Sequence, residues 1–279
     1  LPFVAPSWSQ YRHTPKIKTT TLPLMKLIYI HIPKTAGSSI SKYVAQNTTA
    51  RWILNTDLKD IDPAKTWRTD FLSGHFTRQE LLDWIASQRL SLDGVKFATI
   101  IRHPFDQLRS NLSFPFELSA RGETIEEDWM KDMLLCDPKS ASDIAAVLQK
   151  HPWIFNLQWQ FLITGSYPNE ALSKIDYIGV YPAVSDTLRY CCDVLSLEPP
   201  AAEIHDNRSA GYAIDRDVLA SPPLRDMIID QHALDTQLFS EVHSRALRRH
   251  GMDALEKMIC PFDHGRLFDS WAANRTIWL

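Results

Sequence analysis

The stretch Leu27-Ile28-Tyr29-Ile30-His31-Ile32-Pro33-Lys34-Thr35-Ala36-Gly37-Ser38-Ser39 decides how the rest of the chain is read. An apolar run breaks there into a lysine, a glycine and the hydroxyls of Thr35, Ser38 and Ser39. Near-continuous apolar runs mark strands buried on both faces of a parallel sheet. A glycine among small residues at such a strand's end lets backbone N–H groups turn towards an anion at the mouth of the next helix. The segment therefore predicts strand, phosphate-gripping loop and helix, in that order. The position of the lysine narrows the ligand. In nucleotide hydrolases it follows the last glycine, as Gly-Lys-Ser/Thr. Here Lys34 precedes Gly37 and the hydroxyls of Ser38 and Ser39 follow, which points away from ATP and GTP.

A second apolar run, Val95-Lys96-Phe97-Ala98-Thr99-Ile100-Ile101, leads into Arg102-His103-Pro104-Phe105-Asp106-Gln107-Leu108-Arg109-Ser110. Pro104 suits a first helical position, so Ser110 falls about two turns along that helix, on roughly the same side as its start. The planar fork of an arginine at the strand's end can take two phosphate oxygens at once. Between these segments, Phe71-Leu72-Ser73-Gly74-His75-Phe76 puts a Gly-His pair at the end of a short strand. A hydroxyl is a poor nucleophile until something accepts its proton, and histidine titrates near working pH.

Taken in chain order, Pro33 to Ser39, Gly74-His75 and Arg102 to Ser110 resemble sulfotransferases that use 3′-phosphoadenosine 5′-phosphosulfate (PAPS). They look most like the heparan/uronyl 2-O-sulfotransferase-like carbohydrate branch and its bacterial relatives. The resemblance implies an α/β fold, a P-loop-like open parallel sheet flanked by helices, with helical additions in the C-terminal half. It implies that Lys34, Thr35, Ala36, Gly37, Ser38 and Ser39 hold the 5′-phosphosulfate, and that Arg102 and Ser110 grip the 3′-phosphate. It also implies that His75 is the catalytic base, that Lys34 shares in catalysis, and that 3′,5′-phosphoadenosine (PAP) is the product. His205-Asp206-Asn207-Arg208-Ser209-Ala210-Gly211 is similar to a late polar loop over the adenine and 3′-phosphate, with Arg208 at the contact. The resemblance runs from about Lys26 to Arg248 and is closest up to Ser110. Close heparan-type relatives often carry an acidic residue where His103 stands and a basic one where Gln107 stands.

The expected reaction is transfer of a sulfuryl group to the hydroxyl of an acceptor, a carbohydrate or another alcohol, by in-line displacement. Two other readings compete. A P-loop kinase would need Gly-Lys-Ser/Thr and an acidic metal ligand at a strand end, and the sequence offers neither. A non-catalytic nucleotide- or glycan-binding module would bind PAPS without transfer, and the presence of His75 speaks against it.

Composition agrees. A chain of 279 residues suits one large domain with a sizeable core. Its formal charge of -3, from 30 basic against 33 acidic residues, argues against bulk affinity for nucleic acid, so the donor's phosphates must meet a local cationic cluster. Four cysteines are too few for a disulfide scaffold, and adjacent Cys191 and Cys192 read as core thiols. Neither His-x-x-x-His nor Cys-x-x-Cys occurs, so no metal is assigned. Tryptophans such as Trp52, Trp67, Trp84 and Trp153 read as core, with a sugar-stacking platform as the alternative. Residues 1–24 carry Pro2, Pro6, Pro15 and Pro23 and no long apolar run. They are expected to form an extended segment before a single domain over 25–279. Eukaryotic Golgi members of the family carry an anchor at this end. The chain is accordingly expected to be a cytoplasmic, bacterial-like enzyme, or a Golgi-lumen one if an anchor has been removed.

Elsewhere strand and helix signals alternate. Thr77-Arg78-Gln79-Glu80 has capping-box spacing and opens an amphipathic segment to about Gln88. Thr124 to Glu127 repeats the signal before Trp129. Ser140 to Lys150, Asn156 to Ile163 and Ser185 to Leu195 read as helices, and Tyr177 to Val180 as a strand. Ser221-Pro222-Pro223 predicts the start of one long helix reaching Gly251. Ligands in open parallel sheets sit beyond the strands' carboxyl ends, so Lys34, His75 and Arg102 are expected on one rim. His31 and His103 flank the motifs as rival bases, and His31 is expected to be buried.

Overall fold

The computed structural model describes residues 25–47, 52–54, 58, 61–163, 168–181, 183–201 and 211–250. The segment 1–24, Arg208 and Cys260 lie outside the described residues. In chain order the described elements begin with β1 (Leu27–Ile30), α1 (Gly37–Asn47), β2 (Trp52–Leu54), α2 (Pro63–Thr66), β3 (Phe71–Gly74) and α3 (Arg78–Ser87). There follow β4 (Lys96–Ile101), α4 (Pro104–Ala120), α5 (Asp128–Leu134), α6 (Ala141–Lys150), α7 (Leu157–Leu162) and α8 (Pro168–Ser173). The last are β5 (Tyr177–Val180), α9 (Val184–Leu195), α10 (Arg216–Leu219), α11 (Pro222–Gln231) and α12 (Ala233–His250).

The strands form one five-stranded sheet in the order β2-β3-β1-β4-β5, and every pairing is parallel. β1 is central and fully buried, as its unbroken apolar sequence requires. Its alternate residues serve two layers. Leu27 and Tyr29 pack with Ile40 and Val44 of α1 and with Leu188, Cys191 and Leu195 of α9. Ile28 and Ile30 pack with Leu81 and Ile85 of α3, Leu162 of α7, and Leu238 and Val242 of α12. A third cluster joins Leu108 and Leu112 of α4 to α5, α6 and α11 through Trp129, Met133, Ile144, Leu148, Leu224 and Ile228. The α/β architecture expected from the sequence is thus present, including the helical additions. Cys191 and Cys192 are buried in the sheet's flank, as core thiols.

Strand order also fixes where ligands can sit. The chain leaves β1 towards β2 and β3 on one side, then crosses back to place β4 on β1's other side. The outgoing turns after β1 and β4 therefore diverge, and a crevice opens between them at the carboxyl rim. Side chains lace this rim together. The Thr99 hydroxyl of β4 donates to Ile30 O at 2.8 Å, and Ser41 of α1 meets Ser73 of β3, hydroxyl to hydroxyl, at 2.7 Å.

The capping box before α3 forms as expected. Glu80 N–H donates to Thr77 Oγ1 at 3.1 Å, and Thr77 N–H donates to Glu80 Oε2 at 2.7 Å. Two expectations need correction, and one strand was not foreseen. Thr124 caps nothing: α5 starts at Asp128, with Glu127 in the cap position and no side-chain cap bond. β2, an edge strand too short to show a period, carried no legible strand signal. The single helix expected over Ser221 to Gly251 is two helices, broken at His232. The break lets Asp235, at the start of α12, reach the amino end of α7. There its carboxylate accepts from Trp159 N–H at 2.6 Å and Gln158 N–H at 3.3 Å, filling the orphan donors of that helix end. The turn also leaves Leu234 exposed, whereas Leu238 and Val242 stay buried.

Candidate active site

In the loop after β1, successive carbonyls are taken up by side-chain hydrogen bonds. His31 O accepts from His75 Nδ1 at 3.0 Å, and Ile32 O accepts from the Thr35 hydroxyl at 2.9 Å. Pro33 O accepts from Gln107 Nε2 at 3.1 Å, and Lys34 O accepts from Arg102 Nη1 at 3.2 Å. Four successive carbonyls are thus held by side chains from the loop, β3's end, α4 and β4's end. Lys34 and Ala36 take left-handed conformations, φ 64° and 76°, on either side of Thr35, which does not. Such alternation turns amides inward as an anion-binding nest. For residues other than glycine it costs of order 1–3 kcal/mol each, a cost that these four hydrogen bonds offset. The Ser39 amide is spent on Ala36 O at 3.1 Å, within the first turn of α1. The amides of the turn ahead of it are those that the nest presents.

Gly37 opens α1 because nothing larger fits. A Cβ there would lie 2.1 Å from His31 Cδ2. His31 is buried, as expected, with its ring wedged between the loop and His75; the two imidazole centroids are 4.2 Å apart and tilted by 32°. A carbonyl can only accept, so the bond to His31 O requires the proton on His75 Nδ1 and leaves the lone pair on Nε2. His75 is exposed at the end of β3. The rival bases are placed otherwise: His31 is sealed, and His103 packs edge-on against Phe239 of α12 at 5.2 Å.

Across the crevice, Arg102 follows β4. Its backbone is clamped on both sides by fully buried Gln158, which accepts from Arg102 N–H at 2.7 Å and donates to Arg102 O at 2.9 Å. The guanidinium lies over the Tyr181 ring at 4.5 Å, and Nη2 donates to the Tyr212 hydroxyl at 2.8 Å. Its Nε is buried and has no hydrogen-bond partner among the described residues. Ser110 lies buried along α4, on the helix that Arg102 leads into. Lys34 points its ammonium towards α4, 4.0 Å from the centroid of Phe114 and 3.8 Å from Glu117 Oε2. Burial lowers the lysine's pKa. The Glu117 carboxylate opposes this, and Arg102 and Arg121 add to the lowering.

Lys34 to Ser39, His75 and Arg102 therefore lie at strand ends on one rim, while Ser110 lies deeper along α4. Arg208 lies outside the described residues. Sequence reasoning did not single out Phe114, Glu117, Gln158, Tyr181 or Tyr212. Helical spacing carried a signal for the first two: from Ser110, positions four and seven further along a helix fall on the same side. No local pattern marked Gln158 or the tyrosines.

A backbone nest, a half-buried lysine and an arginine thus stand at adjacent strand ends, with a histidine at the next strand end. The sequence model of the sulfotransferase family matches residues 18–240, and the chain belongs to that family. The donor of the family is PAPS. Among solved structures the chain is similar to mouse sulfotransferase SULT7A1 complexed with PAP, at 11% identity and a TM-score of 0.40, over 81% of this chain and 89% of that one. It is also similar to a sulfotransferase from Alicyclobacillus acidocaldarius, at 12% identity and a TM-score of 0.37, over 78% and 96% respectively. A comparison with curated proteins gives no match.

The residues fit the family's donor. The nest and Lys34 suit a 5′-phosphosulfate, and Arg102 Nε, buried without a hydrogen-bond partner among the described residues, suits a second phosphate. No described helix is long and apolar enough to cross a membrane.

Proposed function

We propose that the chain transfers a sulfuryl group from PAPS to the hydroxyl of a carbohydrate or another alcohol, with His75 as base. PAPS supplies the activated sulfuryl group, whose S–O bond to the 5′-phosphate breaks as the acceptor oxygen bonds to sulfur. His75 Nε2 takes the acceptor's proton, held in the correct tautomer by His31 O. Lys34 and the amides from Thr35 to Ser38 hold the 5′-phosphate and neutralise the charge left on it. The hydroxyls of Ser38 and Ser39 stand at the same helix mouth. Arg102 and Ser110 take the 3′-phosphate, and Arg208 is assigned to the same phosphate on the family resemblance alone. As in phosphoryl transfer, positioning and charge stabilisation do most of the catalytic work.

The observation that carries this reading is the strand order. It sets the ends of β3, β1 and β4 side by side, so that a histidine, a backbone nest and an arginine distant in sequence stand on one rim. The test is mass spectrometry of the chain incubated with PAPS and a panel of sugars and alcohols. A gain of about 80 Da on an acceptor is expected, and His75→Ala should abolish it while leaving PAP affinity nearly intact. Full turnover by that variant would remove His75 as base.

A further inference from the structure

Resting on the donor-site reading above, we propose that Glu117 is a positioning residue for Lys34: its carboxylate holds the ammonium, charged, over the face of Phe114 until the donor's anion takes it over. Phe114 and Glu117 stand three residues apart on α4 and so share a face. Both meet the Lys34 ammonium, the ring at 4.0 Å and the carboxylate at 3.8 Å. That separation exceeds hydrogen-bond length, so the pair is an attraction the lysine can leave without breaking a short contact. The other carboxylate oxygen, Oε1, is buried with no hydrogen-bond partner among the described residues.

Such an acid is costly to keep, and packing alone does not call for it. Its value lies in the company of Lys34. The charged groups facing the ammonium are Glu117 on α4, Arg121 just beyond that helix, and Arg102 at the end of β4. Glu117 is the anion among the three. Burial and both arginines press the ammonium to shed its proton, and Glu117 resists them. A neutral amine could neither attract a phosphosulfate nor balance its leaving charge. Glu117 therefore keeps the lysine ready in the empty site and is replaced by the donor's own anion in the filled one.

The test is the pH profile of kcat/KM for PAPS in Glu117→Gln, together with PAP affinity at about pH 6.5, far on the acid side of the ordinary lysine range. The alkaline limb should move down by about half a pH unit or more, an approximately threefold loss at the alkaline end. PAP should bind about threefold or more tightly at the lower pH, because the competing carboxylate is gone. Glu117→Asp, which keeps the charge one methylene further away, should fall between wild type and Glu117→Gln. It carries the test if the glutamine variant does not fold. An alkaline limb that stays in place overturns the proposal, whether PAP affinity is unchanged or uniformly weaker, the mark of a merely structural role. Loss of turnover at every pH with PAP affinity intact also overturns it, by making Glu117 the base. If Lys34→Ala leaves PAP affinity untouched, the donor-site reading fails instead, and the two failures are distinguishable.

Discussion

Gly37 and Arg102 show how single residues set the site's chemistry. A methyl group at Gly37 would meet the His31 ring at 2.1 Å. That ring has little room to move, because it is buried and packed against the His75 ring. Gly37→Ala should therefore disturb the base as well as the loop. We expect a loss of about 1–3 kcal/mol of stability from overpacking, and turnover depressed well beyond the effect on PAP affinity. Calorimetry of PAP binding beside a turnover assay would check this; equal losses in both would mean that only the loop had moved. Arg102→Ala should weaken PAP by about 1.5–3 kcal/mol, the worth of a charge-assisted hydrogen bond, and 5′-adenosine monophosphate far less. Equal weakening of the two ligands would take Arg102 out of the 3′ site. Both residues could be picked out from sequence. Gln107 is a different matter: it differs from the basic residue of close heparan-type relatives, and only the fold shows it spent on Pro33 O.

Among the elements, α3 was legible almost to the residue, because its start is specified by four consecutive positions. Thr77 and Glu80 form the reciprocal pair of cap bonds, and the helix ends at Ser87 with Gln88 as its cap. Thr77→Ala should cost about 0.5–2 kcal/mol, seen as a lower denaturation midpoint at unchanged m-value. An unchanged midpoint would show that the exposed cap contributes nothing. α5 and the α11–α12 pair were misread for related reasons. Thr124 stands where a cap would stand, but the chain stays irregular up to Glu127. The apolar spacing through Leu224, Ile228 and Leu238 is helical on both sides of His232, so periodicity alone gives no sign of a break there. The break is imposed from elsewhere in the chain, by Asn156, Gln158 and Trp159, whose polar groups Asp235 must reach.

That junction also governs a property of the whole molecule. Burial pushes His232 down to about 3 and Asp235 up to about 7, their carboxylate and ring nitrogen lying 3.7 Å apart. His232 has an ordinary value of 6.5 and a lower one when folded, so the unfolded chain binds the extra proton between about pH 3 and 6.5, and stability is lost as pH falls through that window. Asp235 has an ordinary value of 3.8 and a higher one when folded, so the folded chain binds the extra proton, and stability is lost as pH rises from about 4 to 7. Where the windows overlap, the two slopes oppose each other. Asp235→Asn should unmask the histidine, giving a loss of stability on acidification of up to about 1.4 kcal/mol per pH unit between pH 6.5 and 4. Parallel stability-pH curves for variant and wild type would show that His232 is not held neutral. The sequence by itself determined β1, β3, β4 and β5, the glycine-bearing loop after β1, the Gly-His turn and the strand-arginine-helix unit, because each is written in a few adjacent side chains whose local geometry admits little else. Only the tertiary structure decided that His75 Nδ1 bonds His31 O, that Gln158 clamps Arg102 and that Glu117 faces Lys34. Those pairings are contacts between elements distant along the chain, and sheet order and helix packing, to which no local pattern gives access, bring them within reach.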